Sequence, residues 1–350
     1  METLNIDLVE MEIALNAAYN IIDKSNPVST FNNILFNKDG LFAINNFCSL
    51  NYRFKNNIEE AFGVSPDIFS IVKNIGNNYD MIVKENVLEI DAESVKAELT
   101  LTNDVFNEDI PEFKDEDFSE TSEFKPLPIN FISCLQRVKP YTQKVRDAAR
   151  TENYSFIIDK DKVYATNNKV MIFATLDGEM ERCLIPAETL KILTIIDPEE
   201  YQVQENFILF KTGDIIFSIK RTEETQFTDI ILKFFEDNMP DDDNKFKVQG
   251  DFKQVLENVS VFLPGSKFGD GIIFTPDKDR LLLSTQNNRG KIQGELFCPK
   301  GEFPKGINEF CLSYKFLKPV AGTCEYFIET KTFVVFVEET VSTIIMKIAE

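Results

Sequence analysis

The chain has 350 residues, of which 43% are apolar and 32 are phenylalanine, so it can bury sizeable cores and is not of the disordered class. Its 58 acidic residues against 37 lysines and arginines give a net charge of −21, which disfavours nucleic-acid binding unless cations are concentrated locally. There is no histidine. Ser-His and Cys-His catalysis and the usual zinc ligand are therefore excluded.

The amino terminus and the cysteines indicate the compartment. The segment METLNIDLVEMEIAL lacks the basic start and apolar run of a signal peptide, and no apolar stretch approaches 18 residues. The six cysteines lie singly, without a C-x-x-C pair, which favours free thiols over a disulfide or zinc site. We therefore expect a cytoplasmic protein with no membrane partner, no metal and no cofactor.

The first 103 residues predict helices, a hairpin and paired strands. Apolar residues recur at helical spacing from Val9 to Ile22. Two alternating strands flank an Asn-Lys-Asp-Gly turn at 37–40, and Pro66 begins a short helix that Ser65 caps. Two strand segments, 81–92 and 95–103, complete this unit.

The middle of the chain predicts a similar set of elements. A helix over 128–139 places Ile129, Ile132, Leu135 and Val138 on one face, and Pro140 ends it. Strands at 156–159, 163–166 and 170–176, the last two flanking a polar turn, precede a helix over 185–193 and further strands.

These elements repeat along the chain. A shift of about 120 residues superposes, without a gap, identical residues such as Pro66 and Pro186 or Thr102 and Thr222. A looser third copy has a helix at 312–322, a hairpin at 325–339 and a closing strand at 341–348. It is preceded by a helix over 251–263 and strands at 271–277 and 280–288. We therefore predict an α+β protein of three similar domains, each with two helices on antiparallel sheets: 1–119, 120–241 and 242–350.

Acidic stretches lie at both predicted boundaries. Residues 108–123 contain eight acids and one lysine, and 236–244 are similar, which is typical of solvated linkers, with a metal or partner site as the alternative. Carboxylate pairs such as Asp277 and Asp279 are compatible with acid-base chemistry. Among 58 acids such pairs arise by chance, so we do not expect an enzyme.

One segment is positively charged although the chain as a whole is negative. Residues 125–150 carry six cations against the single acid Asp147. The segment is either a solvated helix face or a surface that contacts phosphates. Its cations are Lys125, Arg137, Lys139, Lys144, Arg146 and Arg150.

The order of motifs resembles the bacterial DNA polymerase III beta subunit, the sliding clamp. The similar segments include YATNNKVMIFA, CLIPAETLKIL, the run ending in QFTDI, FCLSYKFLKPVAG and STIIMKIAE, and they span the whole chain. The family turn A-T-D-G-H-R-L is here 165–171, its F-P-D-Y is 227–230, and its M-P-M-R-L ending is 346–350. These departures are typical of a divergent member, such as one encoded by a virus or mobile element.

The resemblance implies a DNA clamp fold that forms a ring as a head-to-tail homodimer around duplex DNA. It also implies sequence-independent phosphate contacts and two kinds of protein partner, a DNA polymerase and a clamp loader. The residues expected to contact DNA are Arg137, Lys139, Lys144, Arg146 and Arg150, with Lys73, Lys191 and Lys253. The residues expected at the dimer interface are Leu99, Leu101, Val261 and Phe262.

The resemblance further implies a cleft for a partner's peptide. Its expected walls are Thr166, Lys169, Val170, Met171, Thr228, Leu232, Tyr314, Ile344, Ile345, Met346 and Ile348. Alternate residues of 344–348 also suit a plain closing strand. Two other functions stay open: a ring-shaped protein-binding scaffold that does not encircle DNA, and an enzyme with two converging carboxylates in a deep pocket.

Overall fold

A computed structural model describes residues 2–4, 6–26, 28–76, 78–93, 95–103, 123–144, 148, 150–239, 245–263, 269–300 and 302–348. Most of the first predicted acidic linker and the end of the second lie outside these residues. The chain divides into two compact units. Unit 1 comprises Met1–Ile132 and Glu188–Thr222, and unit 2 comprises Ser133–Ala187 and Glu223–Glu350.

The described residues contain eight α-helices: α1 (Leu8–Ile21), α2 (Ser29–Asn32), α3 (Ile68–Ile75), α4 (Phe131–Val138), α5 (Leu190–Ile196), α6 (Gln226–Asn238), α7 (Phe252–Ser260) and α8 (Tyr314–Leu317). Strands of unit 1 are β1 (Glu2–Thr3), β2 (Ile34–Asn37), β3 (Gly40–Ile44), β4 (Cys48–Arg53), β5 (Phe62–Val64), β6 (Asp80–Val83), β7 (Val87–Ala92), β8 (Val95–Thr100), β9 (Lys125–Pro126), β12 (Glu200–Val203), β13 (Phe207–Thr212) and β14 (Ile215–Lys220). Strands of unit 2 are β10 (Ser155–Thr166), β11 (Val170–Pro186), β15 (Phe246–Lys247), β16 (Gly271–Asp277), β17 (Arg280–Asn287), β18 (Gly290–Phe297), β19 (Phe310–Ser313), β20 (Tyr326–Glu329), β21 (Phe333–Val337) and β22 (Val341–Met346).

The strands form four antiparallel sheets, two in each unit. In unit 1 the orders are β1-β6-β7-β8 and β5-β2-β3-β4-β14-β13-β12-β9. In unit 2 they are β10-β11-β22-β21-β20-β15 and β18-β17-β16-β19. Helices and antiparallel sheets in each unit confirm the predicted α+β class.

The internal repeat is visible in three meanders of three strands each. Strands β12, β13 and β14 begin 120 residues after β6, β7 and β8 and end at corresponding positions. Strands β20, β21 and β22 keep the same spacing in the last third of the chain. This confirms the repeat for these elements, while the boundaries of the three predicted domains stay a prediction.

Helix α1 organises the core of unit 1. Asp7 caps it by accepting from the Val9 and Glu10 amides, and its buried face packs on β3, β4, α3 and α5. Its first turn meets the β13–β14 turn at Gly213. The φ of Gly213 is +51°, in the left-handed region that favours glycine, and a β-carbon there would lie 2.1 Å from a Glu10 carboxylate oxygen, which would have to move.

Unit 2 is built on two long paired strands. Strands β10 and β11 pair over most of their length, with irregularities near Lys160, and β11 also pairs with β22. Helix α7, capped by Asp251, packs on β17 and β18. Helix α6 supplies Ile231, Leu232 and Phe235 to a cluster of buried residues on the six-stranded sheet.

Several local predictions need correction, among them the helix expected over 185–193, because β11 extends to Pro186 and α5 begins at Leu190. The helix predicted from Pro66 is α3 and begins at Ile68, with Asp67 rather than Ser65 at the N-cap, because residues 65–68 form a turn first. The strands predicted at 156–159 and 163–166 form one strand, β10. Ile129 is 97% exposed because helix α4 begins two residues later, and Phe131 takes the buried position instead.

Candidate nucleic-acid interface and peptide cleft

Two cations of the basic segment are engaged within unit 2. The Arg137 guanidinium, at the end of α4, forms an ion pair with Glu338 and donates to the Thr323 hydroxyl at 2.5 Å. The Lys139 ammonium donates to the Ala187 carbonyl at 2.5 Å. Both side chains therefore stabilise the fold, and reaching a phosphate would require them to exchange these contacts.

The remaining cations of the segment differ in their surroundings. The Arg150 guanidinium lies 3.8 Å from the centroid of the Phe227 ring, which is the geometry of a cation–π contact. Lys144 is exposed. Arg146 lies outside the described residues.

Three further predicted DNA contacts are exposed lysines on helices. Lys73 lies in the last turn of α3, Lys191 near the start of α5 and Lys253 near the start of α7. Long flexible ammonium side chains in such positions suit sequence-independent phosphate contacts.

The predicted cleft residues on β10, β11 and β22 are divided between the two faces of the six-stranded sheet. Thr166 is opposite Met171, which is opposite Ile344, so these three side chains share one face. Val170 is opposite Ile345, both have no exposed surface, and successive residues of a strand point to opposite faces. The structure therefore brings Thr166, Met171 and Ile344 together and leaves Val170 and Ile345 in the core of the other face.

Helix α6 packs on the first of these faces. Leu232 belongs to the same buried cluster as Ile344, and Thr228 has no exposed surface. Phe235 lies 5.2 Å from Tyr164 and 5.4 Å from Phe173, measured between ring centroids. Edge-to-face and tilted pairs at these distances add to the energy of burial.

A half-buried apolar rim borders this cluster, and we call it the α6 rim. Its members are Met171, Phe173, Phe227, Phe234 and Val337. Sequence reasoning found only Met171. Two sequence patterns could have found three of the others. Phe173 lies two residues after Met171 on the same strand face, and Phe227 and Phe234 are seven residues apart on one helix.

The remaining predicted cleft residues lie elsewhere in unit 2. Lys169 is exposed, and its carbonyl accepts from the Met346 amide at 3.0 Å. Met346 is 41% exposed, and Tyr314 is half-buried in α8. None of the three belongs to the buried cluster or the α6 rim among the described residues.

The end of the described chain borders a separate cavity. The Ile348 amide donates to the Cys311 carbonyl at 2.8 Å, and Lys347 forms a largely buried ion pair with Glu329. The cavity, of about 390 Å³, is lined by Asn308, Glu309, Phe310, Cys311, Glu329, Thr330, Lys331, Lys347 and Ile348. Ile348 therefore lines this cavity rather than the α6 rim.

The predicted interface residues lie at or beside two sheet edges. Leu99 is half-buried on β8, which lies at the edge of its sheet beside β7 among the described residues, and Leu101 follows it. In unit 2, β18 is an edge strand of the four-stranded sheet. Val261 is 65% exposed, and the Phe262 ring lies 3.5 Å from where a β-carbon on Gly290 would stand, so Phe262 packs at the start of β18.

Metal-ligand clusters and membrane-spanning helices are both absent from the described residues. No group of three or more His, Cys, Asp or Glu side chains gathers there as metal ligands would. No helix in that part of the chain is long and apolar enough to cross a membrane.

The chain is similar to known proteins in its structure but matches none of the family models or curated proteins by sequence. No family model matches the sequence, and no curated protein matches it. Solved structures do match along the whole chain. The beta chain of DNA polymerase III from Streptococcus pneumoniae is 14% identical with a TM-score of 0.77, and each chain is covered completely.

Two further structures agree. The DNA polymerase III subunit beta from Pseudomonas aeruginosa is 16% identical with a TM-score of 0.77, covering 99% of this chain and 100% of that chain. The Helicobacter pylori beta clamp bound to a DNA ligase peptide is 15% identical with a TM-score of 0.74 and the same coverage. The chain therefore has the fold of the DNA polymerase III beta subunit, which confirms the predicted fold.

Proposed function

We propose that the protein is a DNA sliding clamp, a non-enzymatic ring that encircles duplex DNA without sequence preference and tethers a DNA polymerase. The observation that carries the proposal is the likeness of the whole chain to DNA polymerase III beta subunits, with complete coverage of both chains. A clamp loader is the expected second protein partner, since a closed ring must be opened to admit DNA.

The strand pairing supports a head-to-tail homodimer. The last strand of the second meander, β14, pairs with β4, the last strand of the first hairpin unit. The last strand of the third meander, β22, pairs in the same way with β11. The first meander ends in β8 and the last hairpin in β18, and both are sheet edges. If β8 of one copy paired with β18 of the next, the last strand of a meander would again pair with the last strand of a hairpin unit. Two such heterologous contacts would close a ring.

The two pairings within one chain, β14 with β4 and β22 with β11, are here called the internal junctions, and they suggest a register for the proposed contact. Cys48 is opposite Ile219 in the first junction, and Val170 is opposite Ile345 in the second. The corresponding positions at the open edges are Gly290 and Leu99. The same register places Lys291 opposite Glu98, an attractive cross-strand pair. Because Phe262 packs at Gly290, this register also brings Leu99 towards Phe262, as the interface prediction requires.

Exposed lysines support weak contacts with DNA. A ring holds the duplex topologically, so its affinity for phosphates need only be low, and sliding requires that no contact be specific. Lys73, Lys144, Lys191 and Lys253 are exposed and are the strongest candidates for this role. Arg137, Lys139 and Arg150 are weaker candidates because each already has a partner within unit 2.

The α6 rim and its surroundings are the proposed site for partner peptides. Half-buried Met171, Phe173, Phe227 and Phe234 offer aromatic and methionine surface on a rigid base. Such surface accepts the hydrophobic side chains of an extended peptide by adaptable packing. Met346, exposed at the end of β22, would extend this surface.

Two measurements test the proposal together. Light scattering should give twice the 40.2 kDa mass of one chain. Protein loaded on nicked circular DNA should stay bound in high salt and should be released when the circle is linearised, because a ring slides off an end. A monomer at micromolar concentration, or equal retention on circular and linear DNA, would overturn the proposal.

A ring that binds only proteins is the second candidate. The observation that favours it is that Arg137 and Lys139, in the centre of the basic segment, serve the fold. In that case the mass would still be that of a dimer, and circular DNA would be retained no better than linear DNA at low or high salt.

A further inference from the structure

A buried carboxylate lies beside the α6 rim. Glu152, in a short 3₁₀ helix over Thr151–Tyr154, has no exposed surface. Its Oε1 atom accepts from the hydroxyls of Thr225 and Thr228, the latter at 3.0 Å. A carboxyl side chain is rarely buried so completely unless hydrogen bonds satisfy its oxygens.

The two threonines are the capping box of α6. The Thr225 hydroxyl oxygen accepts from the Phe227 amide at 3.0 Å, and the Thr225 amide donates to the Thr228 hydroxyl oxygen at 3.4 Å. Glu152 therefore binds both members of the cap of a 13-residue helix.

Two arginines fix the same turn from other directions. Arg150, two residues before Glu152, stacks on Phe227 in the first turn of α6. Arg182 on β11 contacts Glu224 and Asp229, each at 2.7 Å, so it bridges the residues on both sides of the cap. The amino-terminal turn of α6 is thus held by charged and aromatic contacts to two separate elements.

The burial of Glu152 limits what it can do. Neither carboxylate oxygen reaches the surface, so a partner peptide cannot contact it. Its Oε2 atom has no hydrogen-bond partner among the described residues. A buried oxygen without a partner costs stability, so the group is poorly explained as a stabilising element alone.

We propose that Glu152 is a positioning residue, which holds the first turn of α6 so that Phe227 and Phe234 stand beside Met171 and Phe173 as one peptide-binding surface. This inference rests on the proposed function for the identity of the ligand. It does not rest on it for the effect on α6, which can be measured in the protein alone.

Amide hydrogen exchange, read by mass spectrometry on the full-length protein, tests the effect on α6. In Glu152→Ala, exchange over residues 225–232 should rise at least tenfold, because two buried hydroxyls lose their acceptor. Glu152→Gln should stay within about threefold of wild type, since its amide oxygen accepts the same two bonds. Glu236→Gln, an exposed change on the same helix, is the control and should have no effect.

Unchanged exchange over 225–232 in Glu152→Ala would overturn the inference, as would an equal rise throughout unit 2, which would indicate a general loss of stability. If Glu152→Ala does not fold, Thr228→Val and Thr228→Ser replace it. The valine removes the hydroxyl at similar shape and should raise exchange, and the serine should restore it. Equal exchange in the two variants would also overturn the inference.

The peptide is tested separately, with the fluorescently labelled DNA ligase peptide that the Helicobacter pylori clamp binds. If wild type binds it, Glu152→Ala should weaken binding at least fivefold and Glu152→Gln should retain it. Loosened α6 with unchanged peptide affinity would refute a role in positioning the surface. A wild type that does not bind this peptide would count against the proposed cleft, while hydrogen exchange still decides the effect of Glu152 on α6.

Discussion

The pairing of β8 with β18 of a second copy predicts a charge pair that can be reversed. Under the register proposed from the two internal junctions, Glu98 of one copy would face Lys291 of the other. Both side chains are exposed in the single chain. Glu98→Lys would therefore place two lysines opposite each other, Lys291→Glu two glutamates, and the double variant would restore an attractive pair with reversed polarity.

The size of the effect follows from the geometry. An opposite-charge cross-strand pair contributes roughly 0.2–1 kcal/mol, and a like-charge pair is destabilising by a similar amount. A two-fold ring contains the contact twice, so one reversal should cost roughly 1–4 kcal/mol of dimer stability. That corresponds to a dimer dissociation constant raised roughly fivefold to several hundredfold. The effect should shrink at high salt, because exposed charges are screened.

Sedimentation equilibrium over a range of concentrations measures the dissociation constant, and exchange of labelled subunits replaces it if the dimer is too tight. Glu236→Lys, the same charge change on α6 and away from both edges, is the control. The register would be refuted if Glu98→Lys dimerised like wild type. It would equally be refuted if the double variant were weaker than each single variant.

Four further predictions concern other parts of the molecule. Met346→Asp should abolish stimulation of the cognate polymerase while the dimer mass is unchanged. If stimulation survives, the peptide cleft lies elsewhere. Phe235→Ala should lower the free energy of unfolding by roughly 3–5 kcal/mol in urea titration, and Phe234→Ala, at a half-buried position, by clearly less. Burial and the nearby Asp214 and Asp7 raise the pKa of Glu10, so the folded protein holds this proton more tightly than the unfolded chain. Ionisation of Glu10 therefore lowers the stability of the fold at neutral pH. Glu10→Gln should raise Tm at pH 7–8, and the increase should become smaller towards pH 4. An increase in Tm that does not depend on pH would contradict an origin in the raised pKa. Replacing exposed lysines by glutamate should weaken retention on circular DNA at low salt without sequence preference, and unchanged retention would exclude them as contacts: Lys73, Lys144, Lys191 and Lys253.

The elements of the fold were predictable because their signals are local. Period-two alternation and turn residues located the hairpins, and apolar residues at helical spacing located α1. The repeat of 120 residues gave the equivalence of the meanders. The predictions that were wrong concern features that depend on tertiary contacts. One is the start of α4, where Phe131 rather than Ile129 is buried.

The candidate site was less predictable, for a physical reason. Which face a strand residue takes depends on register, so Met171 and Val170 were indistinguishable until β11 was paired with β22. The partners of Arg137 and Lys139, Glu338 and Ala187, are 201 and 48 residues away in sequence. Glu152 gave no signal at all, because a single glutamate among 58 acids is expected to be exposed.

The two open edges also bear on how the proposed ring is kept in one arrangement. Edge strands as long as β8 and β18 tend to associate indiscriminately unless charge or shape restricts their partners. Each of these edges carries both signs of charge, with Lys96 and Glu98 on β8 and Lys291 and Glu295 on β18. Only a defined register matches Glu98 with Lys291 while Val95 faces Gly294, which has no side chain. The sequence of the edges thus favours one heterologous contact, which closes a ring rather than permitting open growth when its rotation is two-fold.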